Sequence, residues 1–209
     1  MLLSVNTFVS LDGVMQGPGA PEEDTANGFE RGGWVVPFAD QLGGVVDDDW
    51  FAHADAILLG RTTYQLMHPY WSSVTDPDNP VAVALNGLPK YVVSTTLTPR
   101  TATWANTEVI ADDVIDRVTE LKQAPGRELQ VHGSWQLAQT LHQAGLVDIY
   151  RLLVFPIVVG AGKRLFDDDS KPVSFEVVSQ KPSGSLTALE LRPGEFRVGT
   201  FLGDEGQTS

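Results

Sequence analysis

Short apolar runs that stop at glycine or at a hydroxyl side chain recur along the chain, and this repeated junction constrains the fold more than any other feature. Residues 2–9 run into Ser10-Leu11-Asp12-Gly13, and Ala56-Ile57-Leu58-Leu59 runs into Gly60-Arg61-Thr62-Thr63. Lys90 to Val93 runs into Ser94-Thr95-Thr96, and Leu129 to Val131 leads to Gly133-Ser134. Helical patterns lie between and after them, over Thr62 to His68, Asn79 to Asn86, Asp112 to Lys122 and Ser134 to Gln143. In the third of these Asp112 and Asp113 suit the N-terminus, Val114, Ile115, Val118 and Leu121 share a face, and Pro125-Gly126 ends the helix. Strands that alternate with helices predict a single α/β domain with a mostly parallel central sheet and helices on both faces.

Two stretches depart from that alternation. Gly13 to Phe38 holds six glycines and three prolines, a loop longer than usual inside a compact domain, which reads as a lid or binding loop or as a meandering surface insertion. Its Phe29, Trp34 and Phe38 either line a pocket or pin the loop down. Ala39 to His53 follows as a helix interrupted near Gly43-Gly44. Beyond the apolar Ile149–Val159 run, Phe175–Gln180, Leu186–Leu191 and Phe196–Phe201 predict an antiparallel meander with turns at Ser183-Gly184 and Pro193-Gly194. The expected domain covers residues 1–203, with a frayed tail at 204–209.

Composition narrows the partners. The 209 residues carry 27 Asp and Glu against 14 Lys and Arg, a net charge of −13. That excess repels a phosphate backbone at long range, and no basic cluster reverses it locally, so nucleic acid is not an expected partner. Cysteine is absent, which excludes disulfides, thiolate zinc sites and redox pairs. The most apolar stretch, Leu152 to Ala161, contains Pro156 and is about half the length of a bilayer span. With no secretory pattern at Met1–Val5, a cytoplasmic protein without a membrane partner is expected.

The junctions carry the chemistry. Ligands of open α/β sheets bind beyond the carboxyl ends of the strands, where helix N-terminal amides favour anions; helix capping also favours Ser and Thr there. Arg61 adds weight, because it stands at a helix start, where the macrodipole disfavours a cation. It is one of four basic residues in the first 104 positions. Such a placement calls for a compensating anion, either a ligand phosphate or an Asp on a neighbouring loop. The usual nucleotide signatures fail: Gly160-Ala161-Gly162-Lys163 has Ile157 where a Walker motif needs its first glycine, and Leu165 breaks the dinucleotide fingerprint. Histidines 53, 68, 132 and 142 lack the spacing of metal ligands.

Several segments in this order nevertheless resemble one family: Val9 to Gly13, Asp55 to Tyr64, Lys90 to Ser94, Gly133-Ser134, and the run from Gly145-Leu146-Val147-Asp148 through Tyr150-Arg151 and Pro156 to Gly160–Phe166. The sequence is similar to the dihydrofolate reductase-like proteins, in particular the branch with the reductase domain of riboflavin biosynthesis. The resemblance implies the three-layer dihydrofolate reductase-like fold and NADPH as cofactor. Gly60, Arg61, Thr62 and Thr63 would meet cofactor phosphates, with Arg61 selecting the 2′-phosphate. Ser94 and Thr95 would lie near the adenosine phosphate, Gly133 and Ser134 beneath the pyrophosphate, and Ser10, Asp12 and Gly13 near the nicotinamide.

The implied reaction is hydride transfer to a small heterocyclic or carbonyl substrate, related to 5-amino-6-(5-phosphoribosylamino)uracil reduction. Asp12 is the one candidate acid. The carboxylate that folate reductases carry in the first helix has no single counterpart in Asp47-Asp48-Asp49, and Arg31 is the only base in the long loop. The alternatives are a nucleotide-binding or regulatory module without turnover and a true dihydrofolate reductase. The resemblance also implies a homodimer; residues Asp148 to Phe166 read as architecture without chemistry.

Overall fold

The computed structural model describes the backbone of residues 1–199, with the side chains of Asp47 and Asp48 left aside. In chain order the elements are β1 (Leu2–Ser10), β2 (Ala54–Gly60), α1 (Arg61–Trp71), α2 (Pro80–Gly87), β3 (Lys90–Val93) and β4 (Thr107–Ile110). There follow α3 (Val114–Gln123), β5 (Glu128–His132), α4 (Trp135–Gln143), β6 (Ile149–Phe155), β7 (Ser174–Ser183) and β8 (Leu186–Gly194). They form one eight-stranded sheet in the order β4-β3-β2-β5-β1-β6-β8-β7. It is parallel from β4 to β6 and antiparallel at β6–β8 and β8–β7.

Residues of opposite parity on the strands feed opposite layers. Ile57 and Leu59 of β2 join Leu153 and Phe155 of β6 under α1 and α2, where Tyr64, Val81 and Leu85 are buried. Ala56 and Leu58 join Leu129 and Val131 of β5 on the other face, covered by Val118 and Leu121 of α3 and Leu137 and Leu141 of α4. A parallel sheet covered on both faces favours largely apolar strands, as in β2, whereas β1 and β5 also carry buried polar side chains. The carboxyl ends of β1, β2, β3 and β5 therefore point the same way and bring their junctions to one edge.

Three expectations are corrected. Residues 39–53 form no single helix but a chain of short turns at Val36–Gln41, Gly43–Val45, Val46–Trp50 and Phe51–His53. Gly43–Val45 is the one α-helical turn, with a 3₁₀ segment before it and a π segment after it, and none of these segments has a side-chain cap. Pro193-Gly194 makes no turn: it extends β8 opposite Phe175 and Ser174, beyond the last β8 residue that pairs with β6. The missing N–H of Pro193 therefore faces no β6 partner. Among the described residues 195–199 there is no strand, so the meander has two strands; Thr200, Phe201 and the 204–209 tail lie outside the described residues. Asp113 precedes α3 in a left-handed conformation and makes no side-chain cap, whereas Asn79 caps α2 by accepting from the Ala82 N–H at 2.9 Å.

Candidate functional site

A cavity of about 920 Å³ opens over the strand ends. One wall is built from junctions. Gly60 and Arg61–Thr63 border it from β2 and α1, Ser94 and Thr95 from β3, and Gly133 and Ser134 from β5. Gly133 and Ser134 adopt successive positive φ angles of 56° and 54°, which turn the chain abruptly from β5 into α4. The Ser134 hydroxyl donates to the His132 carbonyl at 3.1 Å and accepts from the Gly60 N–H at 2.9 Å, tying the ends of β2 and β5 together. No side chain caps α1 or α4, so two helix N-termini with amides unsatisfied by the helix meet one cavity. That arrangement favours an anion.

Arg61 stands on this rim. Among the described residues it has no carboxylate partner; its Nη1 donates only to Gln65 Oε1, 3.2 Å away on the same helix. The alternative of a neighbouring Asp therefore finds no support in the described residues. Ser94 has a local role, because its Oγ accepts from the Thr96 and Leu97 N–H groups at 3.2 and 2.9 Å and shapes the turn after β3.

Ser10, Asp12 and Gly13 lie apart from the cavity wall. Asp12 is the centre of a structural knot. Its Oδ1 accepts from the Ser10 hydroxyl at 2.7 Å and the Val159 N–H at 3.0 Å, and its Oδ2 accepts from the Gly160 N–H at 2.8 Å. Arg164 Nε also donates to the Asp12 carbonyl at 2.9 Å. Desolvation opposes ionisation, but these hydrogen bonds overcome it and hold the carboxyl at about 2. A group so acidic stays ionised at neutral pH and is unsuited to giving up a proton. Arg31 is likewise occupied: it donates to the Val159 carbonyl.

The long loop is tied down and contributes to the wall. Phe29 and Trp34 are buried, and Trp34 and Phe38 pack edge-on against Phe155, so these aromatics anchor the loop. Met15, Gln16, Glu23 and Asp24 border the cavity. Lys163, in the stretch read as architecture, also reaches it and pairs with Asp24 at 2.6 Å while lying 5.6 Å from the Trp135 ring centroid. Glu23 accepts from the Gly19 and Ala20 N–H groups, yet burial outweighs them and raises its pKa above the ordinary value.

Another part of the cavity lining is aromatic. Phe8 and Trp50 stack with centroids 5.5 Å apart, and Phe51 lies parallel to the His132 ring at 4.5 Å. Met67 and Trp71 of α1 also border it. Of the Asp47–Asp49 run, Asp49 pairs with Lys181 at 3.3 Å; the Asp47 and Asp48 side chains lie outside the description.

Behind the aromatic part runs a buried polar network that the sequence reading missed. Arg151 on β6 grips both oxygens of Glu128 on β5 at 2.7 and 2.8 Å, and donates through Nε to Glu190 at 2.9 Å. Ser4 Oγ and Gln130 Nε2 also donate to Glu128, and Gln130 Oε1 lies 3.1 Å from His132 Nε2. Burial opposes the Glu128 charge, but the Arg151 and Gln130 hydrogen bonds prevail and leave its pKa below the usual value. Burial pushes His132 down to about 3, with the Arg151 charge acting in the same direction. The available signal was the spacing: Ser4 and Asn6 in β1, and Glu128, Gln130 and His132 in β5, place polar side chains at every second position of otherwise apolar strands.

Fold and site together define an α/β protein with a strand-end cavity in the dihydrofolate reductase-like class. Within that class the chain belongs to the RibD C-terminal domain family, whose model matches residues 2–189. It is 30% identical over 141 residues to the uncharacterized protein YyaP of Bacillus subtilis, covering 66% of this chain and 72% of that one. A Shewanella sp. PV-4 structure ascribed to riboflavin biosynthesis superposes with a TM-score of 0.63 at 20% identity, over 93% of this chain and all of that one. The Enterococcus faecalis dihydrofolate reductase complexed with NADP(H) and RAB-propyl gives 0.54 at 11% identity, over 93% and 97% of the two chains. At these identities the two structures establish the shared fold. Among the described residues no helix is long and apolar enough to cross a membrane.

Proposed function

We propose that the chain is an NADPH-dependent reductase of a small heterocyclic or carbonyl substrate, related to the uracil reductase of riboflavin biosynthesis. The observation that carries this reading is the convergence of two uncapped helix N-termini and Arg61 on one cavity. The donor set fits a pyrophosphate and an additional phosphate: backbone amides at the starts of α1 and α4 suit the former, and the guanidinium of Arg61 the latter. NADPH, when bound, supplies the hydride for a polarised C=N or C=O group. The protein's own groups bind the phosphates, seat the acceptor against the part of the cavity lined by Phe8, Trp50 and Phe51, and keep bulk water from it.

The proton has a separate source. Asp12 is engaged in its knot, whereas Glu23 borders the cavity with a raised pKa. Glu23 is the carboxyl suited to provide the proton, directly or through water. Thermal-shift titration with NADPH and NADH tests the cofactor. Stabilisation by NADPH above that by NADH is expected, and no stabilisation by either would reject the reading. NADPH binding without oxidation across a panel of pyrimidine, pterin and carbonyl substrates would identify a binding module instead.

A further inference from the structure

The hydrogen-bond directions in the buried network follow from one charged group. Glu128 is ionised and can only accept. Gln130 Nε2 lies 2.7 Å from the Trp50 carbonyl and 2.9 Å from Glu128; both are acceptors, so the amide nitrogen must face them and Oε1 must face His132. His132 Nε2 therefore carries the proton. Because the ring is neutral at physiological pH, Nδ1 is a bare acceptor. It has no hydrogen-bond partner among the described residues, and His132 borders the cavity with 7% of the residue exposed.

Asn6 is oriented by the same carboxylate. Ser4 gives its proton to Glu128 at 3.2 Å, so Ser4 Oγ accepts from Asn6 Nδ2 at 3.1 Å. The amide oxygen is left turned away from those partners, and it is buried without a donor. Asn6 is the direct register partner of His132 across β1 and β5, and both border the cavity. His132 Nδ1 and the buried Asn6 Oδ1 are thus acceptors without donors, on residues that border the cavity together with Phe51, Trp50 and Phe8. An unsatisfied buried acceptor is costly to leave unpaired, and a wall of acceptors repels a second acceptor.

We propose that His132, with Asn6 beside it, is a specificity-determining residue that selects a flat substrate presenting an N–H donor edge, with His132 Nδ1 accepting from that edge. This rests on the reductase reading and decides between its two substrate classes: an N–H-bearing heterocycle fits the wall, and a quinone or simple carbonyl compound, which brings only acceptors, does not. Gln130 and Glu128 act as positioning residues, since they fix the tautomer without facing the cavity.

The test compares pterin with 1,4-naphthoquinone, two flat bicyclic probes of similar size that differ in N–H donors. Each is titrated calorimetrically into the protein saturated with NADP⁺, which carries no hydride to transfer, and into the protein alone. Pterin is expected to bind at least about tenfold more tightly than naphthoquinone, and His132→Phe, which keeps a ring against Phe51, to abolish that preference by weakening pterin alone. Ring-¹⁵N-histidine spectra of the unmutated chain give a readout independent of any variant. His132 is expected to show a protonated Nε2 and a bare Nδ1 whose resonance moves on adding pterin and stays in place on adding naphthoquinone. Equal binding of the probes, no pterin binding at millimolar concentration, a preference that survives His132→Phe, or a protonated Nδ1 would each overturn the proposal. Failure of NADP⁺ to bind would instead count against the reductase reading, with the titration of the protein alone still measuring the edge preference.

Discussion

Two parts of the cavity lining are built on different principles. The strand-end wall depends on local backbone geometry: a strand stops, glycine or serine turns the chain, and a helix begins with its amides exposed. The aromatic part sets Trp50 and Phe51, from the turns before β2, against Phe8 of β1 and His132 of β5, beside polar side chains that register brings together across β1, β5 and β6, with one buried carboxylate setting the direction of the hydrogen bonds around it. A local wall tolerates side-chain change, because amides remain when a side chain is removed. A register-built wall fails as a unit, because its members hold one another.

The sharpest way to break this contrast is to cut each wall once. Glu128→Ala leaves Arg151 charged, 6% exposed and without its bidentate partner, and is expected to lower unfolding free energy by about 3–5 kcal/mol, measured by urea denaturation. Arg151→Ala should act alike. Glu23→Gln removes a proton source without altering the fold and is expected to reduce kcat by about a hundredfold with little change in NADPH affinity; an unchanged kcat would move the proton to water alone. Arg61→Ala comes next. It should weaken NADPH binding by about tenfold, as loss of a charge-assisted contact does, while leaving NADH binding and stability nearly untouched. An equal loss for both cofactors would remove the 2′-phosphate from its role.

The same contrast explains what the sequence disclosed. Gly60, Arg61 and Gly133-Ser134 were legible because a junction is written in consecutive residues, and the alternation of apolar runs with helices carried the sheet and its layers. Residues 39–53 were legible as helical but not as the succession of a 3₁₀, an α and a π segment that they form, because such changes of hydrogen-bond pattern leave no mark on apolar spacing. Asp12 reaches Val159 and Gly160 far along the chain, a contact no local pattern records. His132 stood beside a recognised glycine and was still missed. Its importance comes from Asn6, Gln130 and Glu128, and pairing β1 with β5 requires the topology.

A change of pH isolates His132 from the rest of its network. Its folded pKa of about 3 lies below the ordinary value of 6.5, so between those limits the unfolded chain holds a proton that the folded chain refuses. Stability is therefore complete above about pH 6.5 and falls as pH drops, by up to about 1.4 kcal/mol per pH unit. The lowered carboxyls Asp12, Asp24, Asp55 and Glu128 lose their contributions only below their unfolded values of 3.8 to 4.5, while Glu23, being raised, opposes the trend as it protonates. The interval from about pH 6.5 to 5 thus reports chiefly on His132. Urea denaturation across that interval should give a falling stability for the native sequence and a nearly flat one for His132→Phe. A slope that persists in the variant would show that the proton is taken up elsewhere and that His132 is not held neutral by its burial against Phe51.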